Sequence, residues 1–344
     1  MNFNAVVGNP PYQEPTKDTS DRPIYNYFMD IAYFICGKSI LITPARFLFN
    51  AGKTPAAWNR KMLDDKNLKL VWYRPNISEV FAGLSFTGGV AVTLRDITKD
   101  FGSIVFFTAY PMLNQIVKKV GKLKPEESLG SIVYLQNKFN LEELYKDNPQ
   151  YKSVIGSEGR ERRLTTPIFK QLDIFKQEQT DKEDIKIIGL YNGCRTERFI
   201  PVKYLDTEGT NLSKWKVLLS KSDGAAGQLG KPIPARILGR PELCSPNVGY
   251  TQSFKSIGSF DTEEEAMAVL KYLRTKFARL MLSVLKVTQD INIDVWDYVP
   301  LQDFTNSSDI NWSVSVEEID RQLYAKYHLS DKEIEFVESM IKPI

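Results

Sequence analysis

Histidine and cysteine are scarce in this 344-residue chain: His328 stands alone, and Cys36, Cys194 and Cys244 lie far apart. A zinc centre draws mainly on these two residue types at paired spacings, so no metal site is expected. Sparse, widely spaced cysteines suit a reduced, cytoplasmic protein. Uninterrupted apolar runs are also short. None approaches the ~20 residues that a membrane-spanning helix needs, and Met1-Asn2-Phe3-Asn4 lacks the basic segment of a signal peptide. Charge of one sign is not in surplus overall, because the net charge is only +3. With 42% apolar and 25% charged residues, the composition is that of an ordinary folded protein long enough for two domains.

What the chain does have, over its first ~105 residues, is an alternation of strand-like and helix-like segments. This implies an α/β layer on a mostly parallel sheet. Residues 3–8 read as a buried strand, 13–22 as a polar loop, and Ile24, Phe28, Ile31, Ala32 and Ile35 recur at helical spacing. Residues 39–43, 68–73 and 88–94 read as further strands, 56–63 as a helix, and 100–120 as one more strand and a helix. From about residue 122 the pattern changes to charged, Pro- and Gly-punctuated sequence. Strands are expected there at 131–135, 185–191, 216–220 and 249–256. A long helix follows, capped by Asp261, with Glu263 to Glu265 in its first turn and an apolar stripe from Ala266 to Val284.

Charge is distributed unevenly. Residues 214–286 contain 12 Lys and Arg against 6 Asp and Glu, whereas residues 301–344 contain 4 against 9. Most single charges are simply solvated. As a regional pattern, a basic, loop-rich middle with Lys214, Lys216, Lys221, Lys231, Arg236 and Arg240 suits a polyanion.

The most specific motif is Asn9-Pro10-Pro11-Tyr12, directly after the first expected strand. An exocyclic amine of a nucleobase is a poor nucleophile, because its lone pair is delocalised into the ring. A site that activates it must accept hydrogen bonds from both N–H groups. An Asn side-chain oxygen is one acceptor. The next backbone carbonyl, stiffened by a Pro-Pro pair, can be the second. An aromatic ring alongside gives an extruded base a face to stack on. Following a strand, the four residues would sit at the carboxyl edge of an open sheet, where such folds bind ligands. The plainer reading is a loop of local polyproline character.

With these residues in place, the sequence resembles the amino-group DNA methyltransferases that methylate adenine N6, in particular the adenine-specific methylases of type II restriction-modification systems. Thr43-Pro44-Ala45-Arg46-Phe47-Leu48 is similar to a second family segment. Glu79-Val80-Phe81 with Gly88-Gly89-Val90 looks like a later motif whose aromatic, Phe81 here, helps hold the flipped adenine. Residues 257–286, which contain the long helix, and residues 299–304 resemble the carboxyl-terminal recognition region. The resemblance implies a partial Rossmann-like methyltransferase sheet followed by an α+β target-recognition domain. The corresponding spans are 1–122 for the catalytic portion, 123–310 for target recognition and 311–344 for a helical tail. It implies transfer of a methyl group from S-adenosylmethionine to adenine in double-stranded DNA, with Asn9, Pro10, Pro11 and Tyr12 in the catalytic site and Tyr12 and Phe81 stacking the base. Lys221, Lys231, Arg236 and Arg240 are the expected DNA contacts. The family's Gly-rich cofactor loop has no counterpart ahead of Asn9. Gly224-Ala225-Ala226-Gly227, the best displaced candidate, is followed by Pro232 and Pro234, which stop a helix from opening there. The chain therefore reads as the later part of such an enzyme, binding the cofactor weakly or not at all alone and completed by a companion polypeptide or a homodimer. The alternative is a DNA-binding specificity module without autonomous catalysis.

Overall fold

The computed structural model describes residues 3–14, 22–49, 53–81, 88–104, 107–121, 123–155, 162–222, 229, 232–286 and 290–344. The chain divides into two compact units, Met1–Asn114 and Gln115–Ile344.

In the first unit the opening apolar residues form only a short strand, β1 (Val6–Gly8). Pro10 and Pro11, which carry no N–H, prevent its extension. Two-residue strands β2 (Gln13–Glu14) and β3 (Arg22–Pro23) pair antiparallel just beyond. Helix α1 (Tyr25–Ile35), β4 (Lys38–Pro44), α2 (Ala56–Asp64), β5 (Leu68–Arg74) and β6 (Val90–Asp96) complete the layer. The sheet order is β1-β4-β6-β5. β1 and β4 run parallel, but β6 is antiparallel to both of its neighbours. The expected mostly parallel sheet is therefore mixed. The connections explain why: α1 provides the crossover that a parallel β1–β4 pair requires, whereas among the described residues β5 leads to β6 through nothing longer than the 3₁₀ turn Ile77–Glu79. No strand lies between residues 100 and 110 among the described residues.

Two expectations of burial change in this unit. β1 occupies an edge and is not buried, with Val7 76% exposed. In α1 the buried stripe is Tyr25, Met29 and Ala32, while Phe28 and Ile31 are exposed and Phe34 is 91% exposed. A helix that is apolar all round offers two stripes, and periodicity alone does not choose between them. Aromatic packing does, since Tyr25 lies 6.4 Å from the Phe47 ring and 6.1 Å from the Trp58 ring.

The division between the units falls within α3 (Pro111–Val120). The second unit begins with small elements: β7 (Val133–Tyr134), α4 (Leu141–Asp147), α5 (Lys152–Ile155) and α6 (Ile168–Gln171). Then come β8 (Asp184–Tyr191), β9 (Cys194–Pro201), β10 (Trp215–Ser220), β11 (Glu242–Cys244), β12 (Val248–Tyr250) and β13 (Phe254–Phe260). Helices α7 (Glu263–Arg274), α8 (Lys276–Ser283), α9 (Val316–Lys326) and α10 (Asp331–Met340) follow. One sheet, ordered β11-β10-β13-β7, is antiparallel, and another, β12-β8-β9, is mixed because β12 runs parallel to β8. The strand expected at 249–256 is two strands, separated by a turn in which Phe254 N–H donates to the Thr251 carbonyl. The long helix breaks at Thr275, whose hydroxyl donates to the Tyr272 carbonyl and accepts from Ala278 N–H, capping α8. Its first cap is Thr262, which accepts from Glu265 N–H, and not Asp261, which pairs with Lys214. The α9 residue Asp320 accepts the N–H groups of Lys276 and Phe277 at 2.8 and 2.9 Å, tying this helix to the start of α8.

Candidate active site

β4 and β5 are both antiparallel to β6, and β1 is parallel to β4, so the carboxyl ends of β1, β4 and β5 share one edge with the start of β6. The register pairs Gly8 with Leu41, and Val90 with both Pro44 and Arg74. Three sequence segments are thereby gathered at that edge: Asn9 to Tyr12, Thr43 to Leu48, and Glu79 to Phe81 with Gly88 and Gly89.

Asn9 and Pro11 are exposed there, and Pro10 and Tyr12 are half-buried. Ile24 N–H donates to the Tyr12 carbonyl at 3.1 Å, and the β2–β3 ladder follows at once, so the motif is pinned on both sides. Burial pushes the Tyr12 phenol upward, against a side-chain hydrogen bond with Asn9 that pulls it down. Phe81 ends a turn built on Ile77, which is 2% exposed; Val80 and Phe81 N–H both donate to the Ile77 carbonyl, and the Asn76 side chain caps the turn through Ser78 N–H. The Tyr12 and Phe81 rings meet edge-to-face at 6.5 Å and 68°.

The Thr43 to Leu48 segment divides its roles. Phe47 and Leu48 are core residues, with Phe47 5.5 Å from the Trp58 ring, whereas Arg46 is half-buried at the edge. Gly88, with φ +98°, makes room for it: a Cβ there would lie 2.6 Å from Arg46 Cγ. Gly89 has φ +73°, its carbonyl accepts from Ala45 N–H at 2.9 Å, and a Cβ would lie 2.1 Å from the Arg74 carbonyl oxygen. Gly89→Ala should thus cost more than ~2 kcal/mol, combining the strain of a left-handed Ala with a backbone clash. Urea denaturation checks this, and a loss below ~0.5 kcal/mol would mean that the edge yields.

Sequence reasoning missed an aromatic cluster in this unit. Phe49, Tyr73 and Phe107 stand 5.1 to 5.8 Å apart, edge-to-face, and the Tyr73 hydroxyl donates to the Gly88 carbonyl at 3.4 Å. Burial raises the Tyr73 phenol to about 12, and Tyr110 adds to the shift. The three rings are far apart in sequence, and no local pattern connects them.

The residues described here do not fit a complete S-adenosylmethionine site. β1 leads to Pro10 and Pro11, β4 to the 3₁₀ turn Ala45–Phe49, β5 to Pro75 and β6 to a turn at Asp96; none ends in a glycine-rich turn opening an α-helix. Gly224 to Gly227 lie outside the described residues. Among the described residues no group of three His, Cys, Asp or Glu could hold a metal ion, and no helix is long and apolar enough to cross a membrane.

In the second unit Lys221, Arg236 and Arg240 are exposed, and Lys231 lies outside the described residues. Much of the basic excess around them has an internal role. Lys216, Lys255, Arg279 and Lys286 are buried, Lys214 and Lys276 pair with Asp261 and Glu338, and Lys271 donates to the carbonyls of Trp312, Ser313 and Val314. Lys216 is thus committed within the fold, contrary to its reading as a polyanion contact, whereas Lys214 stays partly exposed in a surface ion pair.

No curated protein matches this chain. Among solved structures, the type IIG restriction endonuclease BpuSI is similar at 11% identity and a TM-score of 0.35, over 97% of this chain and 52% of its own. The type IIL restriction-modification enzyme MmeI, solved in complex with DNA, is similar at 9% identity and a TM-score of 0.37, over 97% and 56%. The chain spans about half the length of either. Residues 1–81, from before β1 through Phe81, match the family described as Eco57I restriction-modification methylase, so the part of the chain that holds Asn9 to Tyr12 is similar to restriction-modification methylases.

Proposed function

We propose that the chain is the acceptor-base and target-recognition portion of a DNA adenine-N6 methyltransferase of a restriction-modification system. The observation that carries this reading is the placement of Asn9-Pro10-Pro11-Tyr12 at the shared strand edge, with the Phe81 ring 6.5 Å from Tyr12, inside the stretch that matches the methylase family. The Asn9 carboxamide oxygen would accept from the adenine amine, with the Pro10 carbonyl as second acceptor. The Tyr12–Phe81 pair supplies faces for the extruded base. Residues 1–122 would form this catalytic portion, 123–310 the recognition domain and 311–344 its helical tail.

The misfit to S-adenosylmethionine supports a division of labour in which other polypeptide supplies the cofactor site. A companion segment or a second copy against β1, where Val7 is open, fits the same reading. It also favours a chain that binds DNA alone but methylates only when completed. The test is duplex DNA binding as a function of salt. Replacing Lys221, Lys231, Arg236 and Arg240 together with Ala should weaken binding to all sequences and flatten the slope by up to ~0.9 for each lost phosphate contact. Parental affinity and slope in that variant would return these four residues to solvated surface.

A further inference from the structure

We propose that the exposed end of the β8–β9 hairpin, where Lys170 and Arg198 stand over the Tyr191 ring, is a duplex-DNA contact. The inference rests on the DNA-binding reading above and adds residues that it does not name. β8 and β9 pair from Asp184–Pro201 to Tyr191–Cys194. They are joined by Asn192 and Gly193, both at positive φ, 51° and 78°, the narrow two-residue turn that matches strand twist. The two faces of this ribbon differ in chemistry. On one, every described basic residue is neutralised: Lys186 pairs with Glu197 at 3.0 Å and Arg195 with Glu242 at 2.7 Å. On the other, Ile185, Ile187 and Ile200 enter the core while Tyr191, nearer the tip, is exposed.

Two cations converge on that ring. Gly189 has no side chain, and a Cβ there would lie 2.5 Å from Phe169, so α6 settles onto the hairpin and brings the Lys170 ammonium to 5.6 Å from the Tyr191 centroid. Arg198, paired across the ladder with Ile187, holds its guanidinium 5.5 Å from the same centroid. Neither forms an ion pair among the described residues; the Arg198 Nη1 donates only to the Glu197 carbonyl. A cleft of ≈ 710 Å³ opens beside the ring, bordered by Gln150, Val154 and Asn192, and among the described residues the one carboxylate lining it, Asp173, accepts from the Tyr151 hydroxyl. Stability alone does not call for two like charges over one exposed ring. A phosphate backbone does, and a two-stranded ribbon has the width that the major groove admits. Tyr191 acts here as a positioning residue, holding both cations by its π-face.

The probe is a fluorescent random-sequence duplex titrated with the full chain over a range of salt. Lys170→Ala with Arg198→Ala should bind several-fold more weakly at low salt and flatten the slope by about 2, one unit for each lost phosphate contact. Lys186→Ala, on the neutralised face, should match the parent. A second readout uses the unaltered fold: Cys194 is exposed whereas Cys36 and Cys244 are buried, so a maleimide photocrosslinker attaches at the tip and should capture the duplex. A parent that binds the duplex while the double variant keeps its slope, or while the tip captures nothing, overturns this contact and leaves the DNA-binding reading standing. A parent that does not bind duplex DNA at all overturns both.

Discussion

Asn9→Ala, in an enzyme reconstituted with a cofactor-binding half, should lower methyl transfer into duplex DNA by at least ~10²-fold, the loss expected for one preorganised polar contact to the reacting group. On the proposed reading, the mutation removes the acceptor of the adenine amine. Asn9 is exposed and packs no core, so the fold and DNA affinity should stay close to parental. Tyr12→Ala should differ in kind. It removes a stacking face worth ~1 to 3 kcal/mol per base, and a mismatched target, whose base is easier to extrude, should partly restore its rate. Radiolabelled methyl incorporation and a DNA-binding titration on the same preparations separate the two effects. A parental rate for Asn9→Ala would reduce the motif to a turn and leave the chain a specificity module.

Lys216→Met should destabilise the second unit by about 1 to 3 kcal/mol, the cost of a buried acceptor deprived of its donor. The Lys216 ammonium is fully buried and donates to the carbonyls of Asn211, Leu212 and Lys214 at 2.9, 3.2 and 3.0 Å. Methionine fills the volume; the Asn211 and Leu212 carbonyls keep the N–H groups of Lys214 and Asn247, and the Lys214 carbonyl loses its donor. Burial also lowers the ammonium to about 8 from its ordinary 10.5. Between those values the unfolded chain binds the proton more tightly, so this contribution is present above 10.5 and is lost as pH falls through 8. The stability gap between parent and variant should accordingly widen from pH 7 to pH 10 in urea denaturation. Coincident midpoints would mean that the lysine reaches water.

These two residues mark what the sequence makes legible. The proposal for Asn9 comes from the sequence because the chemistry it invokes is local: four consecutive residues would hold the acceptor, the stiffened carbonyl and the ring, and a strand, β1, precedes them. Strands at 39–43, 68–73, 185–191 and 216–220 are readable because short β-branched runs carry their own period; the structure places β4, β5, β8 and β10 there. Lys216 is not readable, since a buried ammonium among carbonyls has the same letter as a solvated one. The outward stripe of α1 and the antiparallel β6 were misjudged for a related reason: both depend on which partner a face meets. The β8–β9 hairpin could have been found, because Asn192-Gly193 between strand-like runs is a strong turn signal.

The sheet order β1-β4-β6-β5 also sets a schedule. β5 has β6 as its hydrogen-bonded neighbour, and β4 reaches β5 only through β6. During synthesis β4 and β5 therefore emerge with no way to join each other, and their common sheet waits until Asp96, the last residue of β6, has left the ribosome. Up to that moment their apolar edges are open to wrong pairing. One late strand closes two ladders at once, so β4 and β5 should enter a common sheet in a single step, although β1 can pair with β4 beforehand.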